Sequence, residues 1–124
     1  IYYQFEVESA GAEIHADSAQ LQMVLINLIK NAMDALEHTA HPEIKITATM
    51  ITSNQVCIAI TDNGPGIDAD AINKIFIPFY TTKRKGSGIG LSLSQQIIQL
   101  HGGQLKVNST SNSGTTFNVI LTTV

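Results

Sequence analysis

Between residues 21 and 35 one set of apolar side chains recurs at Leu21, Val24, Leu25, Leu28, Ala32 and Ala35. This is the i, i+3, i+4, i+7 spacing of a helix with one face in a core. Asp17 or Ser18 supplies an N-cap side chain, so a long helix is predicted from there to about Glu37, with Pro42 marking its exit. The segments on either side carry the other periodicity. Residues 2–7 (YYQFEV) alternate loosely, and 13–16 (EIHA) form a second short extended candidate. Residues 43–51 and 55–61 are rich in Ile, Val and Thr and flank Ser53-Asn54, which predicts an antiparallel hairpin.

The DNGPG run (62–66) breaks the second of these strands, and a short helix is expected over 68–75. Residues 76–90 (FIPFYTTKRKGSGIG) have no sustained period and read as a long connection of the kind that forms lids. A helix over 91–101 stops at Gly102-Gly103, and strands at 104–109 and 115–122 make a closing hairpin. Hairpins interspersed with helices predict an α/β, two-layer sandwich: an antiparallel or mixed sheet with helices on one face.

At 124 residues the chain fits a single domain spanning 1–124. Its 44% hydrophobic and 14% charged composition excludes a disordered chain. A net charge of −3 argues against a nucleic-acid partner. Cys57 is the single cysteine, so no internal disulfide can form. No apolar run approaches the ~20 residues of a membrane span; a cytoplasmic setting is expected, with any membrane tether of the parent protein lying in other segments. Ile1 already falls inside an alternating pattern, so the chain is expected to be part of a longer protein.

Three groups of residues carry chemistry. On the long helix, Gln20, Asn27, Asn31, Asp34 and His38 line up as one polar flank, roughly 220–280° around from Leu21. Asparagine is a mediocre helix former, so two at i, i+4 suit either a solvated face or a carbonyl oxygen aimed at a hard cation. In DNGPG, Asp62 ends a strand, and Gly64 and Gly66 permit an ordinary turn or close backbone approach to a ligand. The GSGIG run (86–90) opens a helix, where free N–H groups favour phosphate oxygens. Lys83, Arg84 and Lys85, three of the seven basic residues, stand directly before it. They form a solvated loop or add to an anion site.

Other chemistry finds less support. The spacing after FYTTKRK is G-x-G-x-G rather than G-x-G-x-x-G, and no Gly-Lys dipeptide is present, so both common nucleotide fingerprints are absent. His38 and His41 have no third metal ligand near them in sequence. His101 is accounted for by its place at a helix C-terminus, and Cys57 in an Ile/Val strand reads as a small buried apolar residue.

Taken in order, NLIKNAMDAL (27–36), DNGPGI (62–67), IFIPFYTTK (75–83), GSGIGLSLS (86–94) with IIQLHGGQL (97–105), and GTTF (114–117) span nearly the whole chain. In this order they resemble the catalytic, ATP-binding domain of bacterial sensor histidine kinases, within the GHKL (Bergerat-fold) superfamily. Their tone is closest to the nitrogen- and oxygen-sensing kinases. The resemblance implies that ATP lies between the helices and under a 76–90 lid, with Mg2+ held by Asn31 and Asn27 as a nearby polar contact. It implies that Asp62 accepts from the adenine amino group and that Gly64, Gly66 and Ile67 meet the base. Phe76 and Phe79 would hold the lid. Thr81, Thr82 and Lys83 would approach the phosphates. Gly86, Ser87, Gly88, Ile89, Gly90 and Leu91 would form the phosphate cradle, and Thr115 or Thr116 would stand near the adenine.

Two departures from the superfamily bear on the chemistry. The hydrolytic branches place a water-orienting glutamate one turn before the magnesium asparagine. Here that position is Asn27, which cannot act as a base. Asp34 is expected among the cofactor-binding residues, but it stands where some kinases carry a basic residue, so a phosphate contact there would lack a cation. The resemblance therefore implies a domain that holds Mg-ATP for a histidine on a separate helical dimerisation domain, with a response regulator downstream. The full-length protein would be a homodimer and the isolated domain a monomer with little turnover. Two alternatives stay open at this level: a degenerate nucleotide-binding interaction module, and a serine kinase of the anti-sigma-factor type.

Overall fold

The computed structural model describes residues 1–8, 11–80 and 90–124. Its elements in chain order are β1 (Tyr2–Glu8), α1 (Ser18–Ala35), β2 (Glu43–Thr52), β3 (Gln55–Asp62), α2 (Ala69–Ile72), α3 (Gly90–Leu100), β4 (Gln104–Ser109) and β5 (Thr115–Thr122). Among the described residues they form one five-stranded sheet, ordered β1-β2-β3-β5-β4. The two hairpins are antiparallel and β3 pairs antiparallel with β5, whereas β1 pairs parallel with β2. The two-layer sandwich expected from the sequence is the one observed, with a mixed, mostly antiparallel sheet.

Alternation along the strands decides which sheet face is buried. Ile44 on β2, Val56 and Ile60 on β3, Phe117, Val119 and Leu121 on β5, and Leu105 on β4 all point to one face. Val24, Leu28 and Ala32 of α1 and Ile97 and Ile98 of α3 close over it. Each such Leu or Ile contributes about 1.5–3 kcal/mol by leaving water. The opposite face carries the polar and small residues. Cys57 lies there, half-buried, with its Sγ 3.5 Å from Oδ1 of Asn118. That burial pushes its thiol pKa up.

Two sequence expectations change. Residues 13–16 form no strand. The Val124 N–H donates to the Glu13 carbonyl at 2.7 Å, and the segment passes directly into the cap of α1. The helix expected over 68–75 is only the four residues of α2. The Asp68 carboxylate accepts from the Ser111 hydroxyl at 2.8 Å and makes no side-chain cap. Beyond α2 the chain continues as separate turns, Ile77 N–H to Lys74 O and Tyr80 N–H to Ile77 O. The edge strand β1 is exposed along its length, with Phe5 and Val7 66% and 70% exposed.

Candidate functional site

The site is built where α1, the end of β3 and the start of α3 converge. Asp17 caps α1 by accepting the Gln20 N–H at 3.0 Å. The far side of the same turn is held by His101, which follows α3. The Asp17 N–H donates to its Nε2 at 3.1 Å, and its Nδ1 lies 2.8 Å from the Ile97 carbonyl. Because Nε2 accepts, the proton resides on Nδ1, and the ring ties the end of α3 to the beginning of α1. The helix-end role expected of His101 is thus joined by a contact across the fold.

Along the flank of α1 that faces α3, Asn27 and Asn31 are half-buried one turn apart. Asn27 donates from Nδ2 to the Ser94 Oγ of α3 at 3.1 Å. Asp34 is exposed at the rim of an open depression of about 370 Å3, which also includes Ala35, His38, Asn63, Gly64 and Asn112. Among the described residues no three His, Cys, Asp or Glu side chains gather into a metal site.

Asp62 ends the central strand β3, in register with Ile44 on β2 and Thr115 on β5. It is 4% exposed, and its Oδ1 accepts the Gly64 N–H at 2.9 Å. Burial pushes its carboxyl above the ordinary 3.8, while the N–H groups of Gly64 and Thr115 pull it back. Register separates the two threonines. Thr115 shares the inner face with Asp62, whereas the Thr116 hydroxyl meets that of Thr61 at 2.9 Å on the outer face. Of the pair, only Thr115 can reach a ligand beside Asp62.

The loop after Asp62 is latched by a residue the sequence motifs did not mark. The Ser109 Oγ accepts the Ile67 N–H at 2.8 Å and donates to the Gly114 carbonyl at 2.9 Å. With its one proton used there, the 2.9 Å contact with Thr115 has the Thr115 hydroxyl as donor. Ser109 therefore joins Ile67 and Thr115, two predicted site residues, through one oxygen. Gly66, at φ +78°, passes so close to the Thr110 carbonyl that no Cβ would fit. A serine at a strand end is too common a feature to single out without the fold.

The two aromatic residues expected to hold the lid differ in placement. Phe76 packs edge-on against Phe117, with ring centroids 6.5 Å apart and planes at 85°. Phe79 is 77% exposed and has φ +67°, and Ile77 is half-exposed, so Phe76 is the anchor of this segment. Gly90 opens α3, and Leu91 packs against the core edge. Thr81, Thr82, Lys83, Gly86, Ser87, Gly88 and Ile89 lie outside the described residues, as do Arg84 and Lys85. No helix among the described residues is long and apolar enough to cross a membrane.

Comparison with known proteins bears on this geometry. Residues 16–123 match the family described as histidine kinase-, DNA gyrase B- and HSP90-like ATPase. The chain is 42% identical over 116 residues to the signal transduction histidine-protein kinase AtoS of Escherichia coli strain K12, covering 94% of this chain and 19% of that protein. It is 34% identical over 121 residues to the sensor protein FixL of Bradyrhizobium diazoefficiens, covering 98% of this chain and 24% of that one. The chain thus spans about a fifth to a quarter of the curated relatives' length. Among solved structures, the catalytic domain of histidine kinase ThkA superposes with a TM-score of 0.84 at 34% identity, over 98% of this chain and 79% of that one. Full-length ShkA in complex with AMPPNP gives 0.83 at 28% identity, over 99% of this chain and 26% of that one.

Proposed function

This chain belongs to the histidine kinase-, DNA gyrase B- and HSP90-like ATPase family, and on that premise we propose that it binds Mg-ATP and presents the γ-phosphoryl group to a histidine on a separate helical domain. The observation that carries the reading is the buried Asp62 carboxylate, held at a central strand end beside Gly64 and Thr115. A carboxylate so placed accepts hydrogen bonds and donates none when ionised, which selects an amino-bearing edge such as that of adenine.

The donor set fits a magnesium nucleotide. Magnesium takes oxygen ligands, keeps several waters and is shared with substrate phosphates, so a single Asn31 amide oxygen suffices on the protein side. Magnesium and cations would neutralise charge on the phosphates during transfer, which is otherwise a matter of positioning. In this reading Asn31 holds the metal side and the start of α3 at Gly90 holds the phosphates, and on sequence alone the 86–89 run and Lys83 are proposed to share that duty. Asp34 places a carboxylate near the rim, where it would favour a metal or hydroxyl contact over a phosphate.

Asn27 supplies no base, so the domain holds ATP for another nucleophile rather than for water. Its relatives named as histidine kinases support a histidine acceptor over a serine or a purely sensory role. The acceptor helix pair, a response regulator beyond it and a homodimeric parent protein follow as proposals, as does a cytoplasmic setting. The reading is tested by mixing the domain with the helical acceptor segment of its parent and labelled ATP. Acid-labile, base-stable label on a histidine is expected. Bound nucleotide with no phosphohistidine would overturn it, and acid-stable label on a serine would move the chain to a different kinase class.

A further inference from the structure

Asn27 and Ser94 lie 67 residues apart on different helices, yet the Asn27 Nδ2 donates to the Ser94 Oγ at 3.1 Å. Ser94 is 3% exposed, so water competes poorly for this bond. The oxygen end of the same amide meets α3 one turn earlier. A Cβ built on Gly90 would lie 2.5 Å from Asn27 Oδ1 and 3.1 Å from its Cγ. The start of α3 can approach α1 this closely only because residue 90 has no side chain. One amide therefore registers two successive turns of α3 against α1, and on α1 the next turn carries Asn31.

Resting on the function proposed above, we infer that Asn27 is a positioning residue: with Ser94 it sets the distance between Asn31 on the metal side and the α3 N-terminus on the phosphate side. The N–H groups of a helix's first turn have no intrahelical partners, and their pull on an anion fades within that turn. A shift of α3 along or away from α1 would therefore separate the two halves of the phosphate site without touching the adenine pocket at Asp62. The neutral amide suits this duty, because it donates to Ser94 and adds no negative charge beside the phosphates. Ser94, only 3% exposed, has almost no surface to offer a ligand, so it offers the cleaner handle.

The test compares the parent chain with Ser94→Ala and Gly90→Ala, measuring affinity for adenosine and for a non-hydrolysable ATP analogue with and without Mg2+. Loss of one buried hydrogen bond predicts that Ser94→Ala cuts the Mg2+-dependent gain in analogue affinity about fivefold. Adenosine affinity stays at the parent value. Gly90→Ala, which pushes α3 off Asn27, gives the same pattern. The Asn27 side-chain amide protons are expected to exchange faster in Ser94→Ala than in the parent. An unchanged Mg2+-dependent gain in Ser94→Ala overturns the inference, as does a loss of adenosine binding in equal proportion, which marks general loosening. In either case the nucleotide reading stands. A parent chain that binds neither adenosine nor the analogue removes the proposed function itself.

Discussion

Gly64 lies against the carbonyl oxygen of Ala35 with no room for a side chain: a Cβ there would stand 2.9 Å from that oxygen and 2.9 Å from Oδ1 of Asp62. The last turn of α1 and the loop after β3 therefore meet through bare backbone. Gly64→Ala is expected to destabilise the domain by about 1–3 kcal/mol, because neither the carbonyl nor the buried carboxylate can retreat freely. Urea denaturation measures this, and adenosine affinity should fall in the same variant. Parent-like stability would mean that the loop yields more readily than this packing implies.

Asp62→Asn separates charge from shape. In the parent, burial raises the folded-state pKa of Asp62 above its ordinary 3.8. A raised pKa means that the folded state holds its proton longer, so the contribution of Asp62 is fully present below that value and is lost as pH rises through the raised one. The variant lacks this titration. Its stability relative to the parent should therefore improve as pH rises from about 4 toward neutrality, with a slope of at most about 1.4 kcal/mol per pH unit. Paired melts across that range check the sign, and an opposite slope would refute the assignment. Preference for adenine over guanine nucleotides should fall in the same variant.

Ser109→Ala removes the oxygen shared by Ile67, Gly114 and Thr115. The Ile67 N–H is then left without its acceptor, and a cost of about 1–3 kcal/mol is expected from that group. Because the freed segments flank Asp62, adenosine affinity should also drop, whereas the Mg2+-dependent gain is retained. Calorimetric titration with and without metal distinguishes these two terms.

Asn31→Ala should show the reverse pattern. On the proposed function, its loss removes the protein's oxygen ligand to the metal and leaves the Asp62 pocket intact. Adenosine affinity is expected to match the parent, and the advantage that Mg2+ confers on ATP-analogue binding should shrink at least about tenfold, in keeping with one lost ligand. Retention of that advantage would move the metal ligand elsewhere.

His101→Phe tests the tie between the helices. It removes the bonds to the Asp17 N–H and the Ile97 carbonyl while keeping an aromatic ring in place. The Asp17 bond is exposed, so a modest cost of about 1 kcal/mol is expected. Nucleotide binding should be unaffected, since Asp17 lies more than two turns of α1 from Asn27.

Local pattern was sufficient for much of this protein. The 3.6-residue period of α1, the Asp17 cap, the four strands from β2 to β5 and the break at DNGPG are all properties of short windows, because each depends on side chains a few residues apart. The chemical types at Asn31, Asp62 and the glycines could be read in the same way, together with their order along the chain. What lay beyond the sequence required partners distant along it. The parallel pairing of β1 to β2 places Phe5 and Val7 at an uncovered edge, and alternation within β1 says nothing of that. The 13–16 segment has extended character but no ladder beside it. Thr115 rather than Thr116 faces Asp62 because strand register sets which side chain points inward. Ser109 joins Ile67 to Thr115, and Asn27 reaches Ser94, through hydrogen bonds that exist only once strands and helices have packed. Periodicity encodes which face of an element is buried. Which residues of two buried faces touch is decided by packing and register, and it is there that separate motifs become one site.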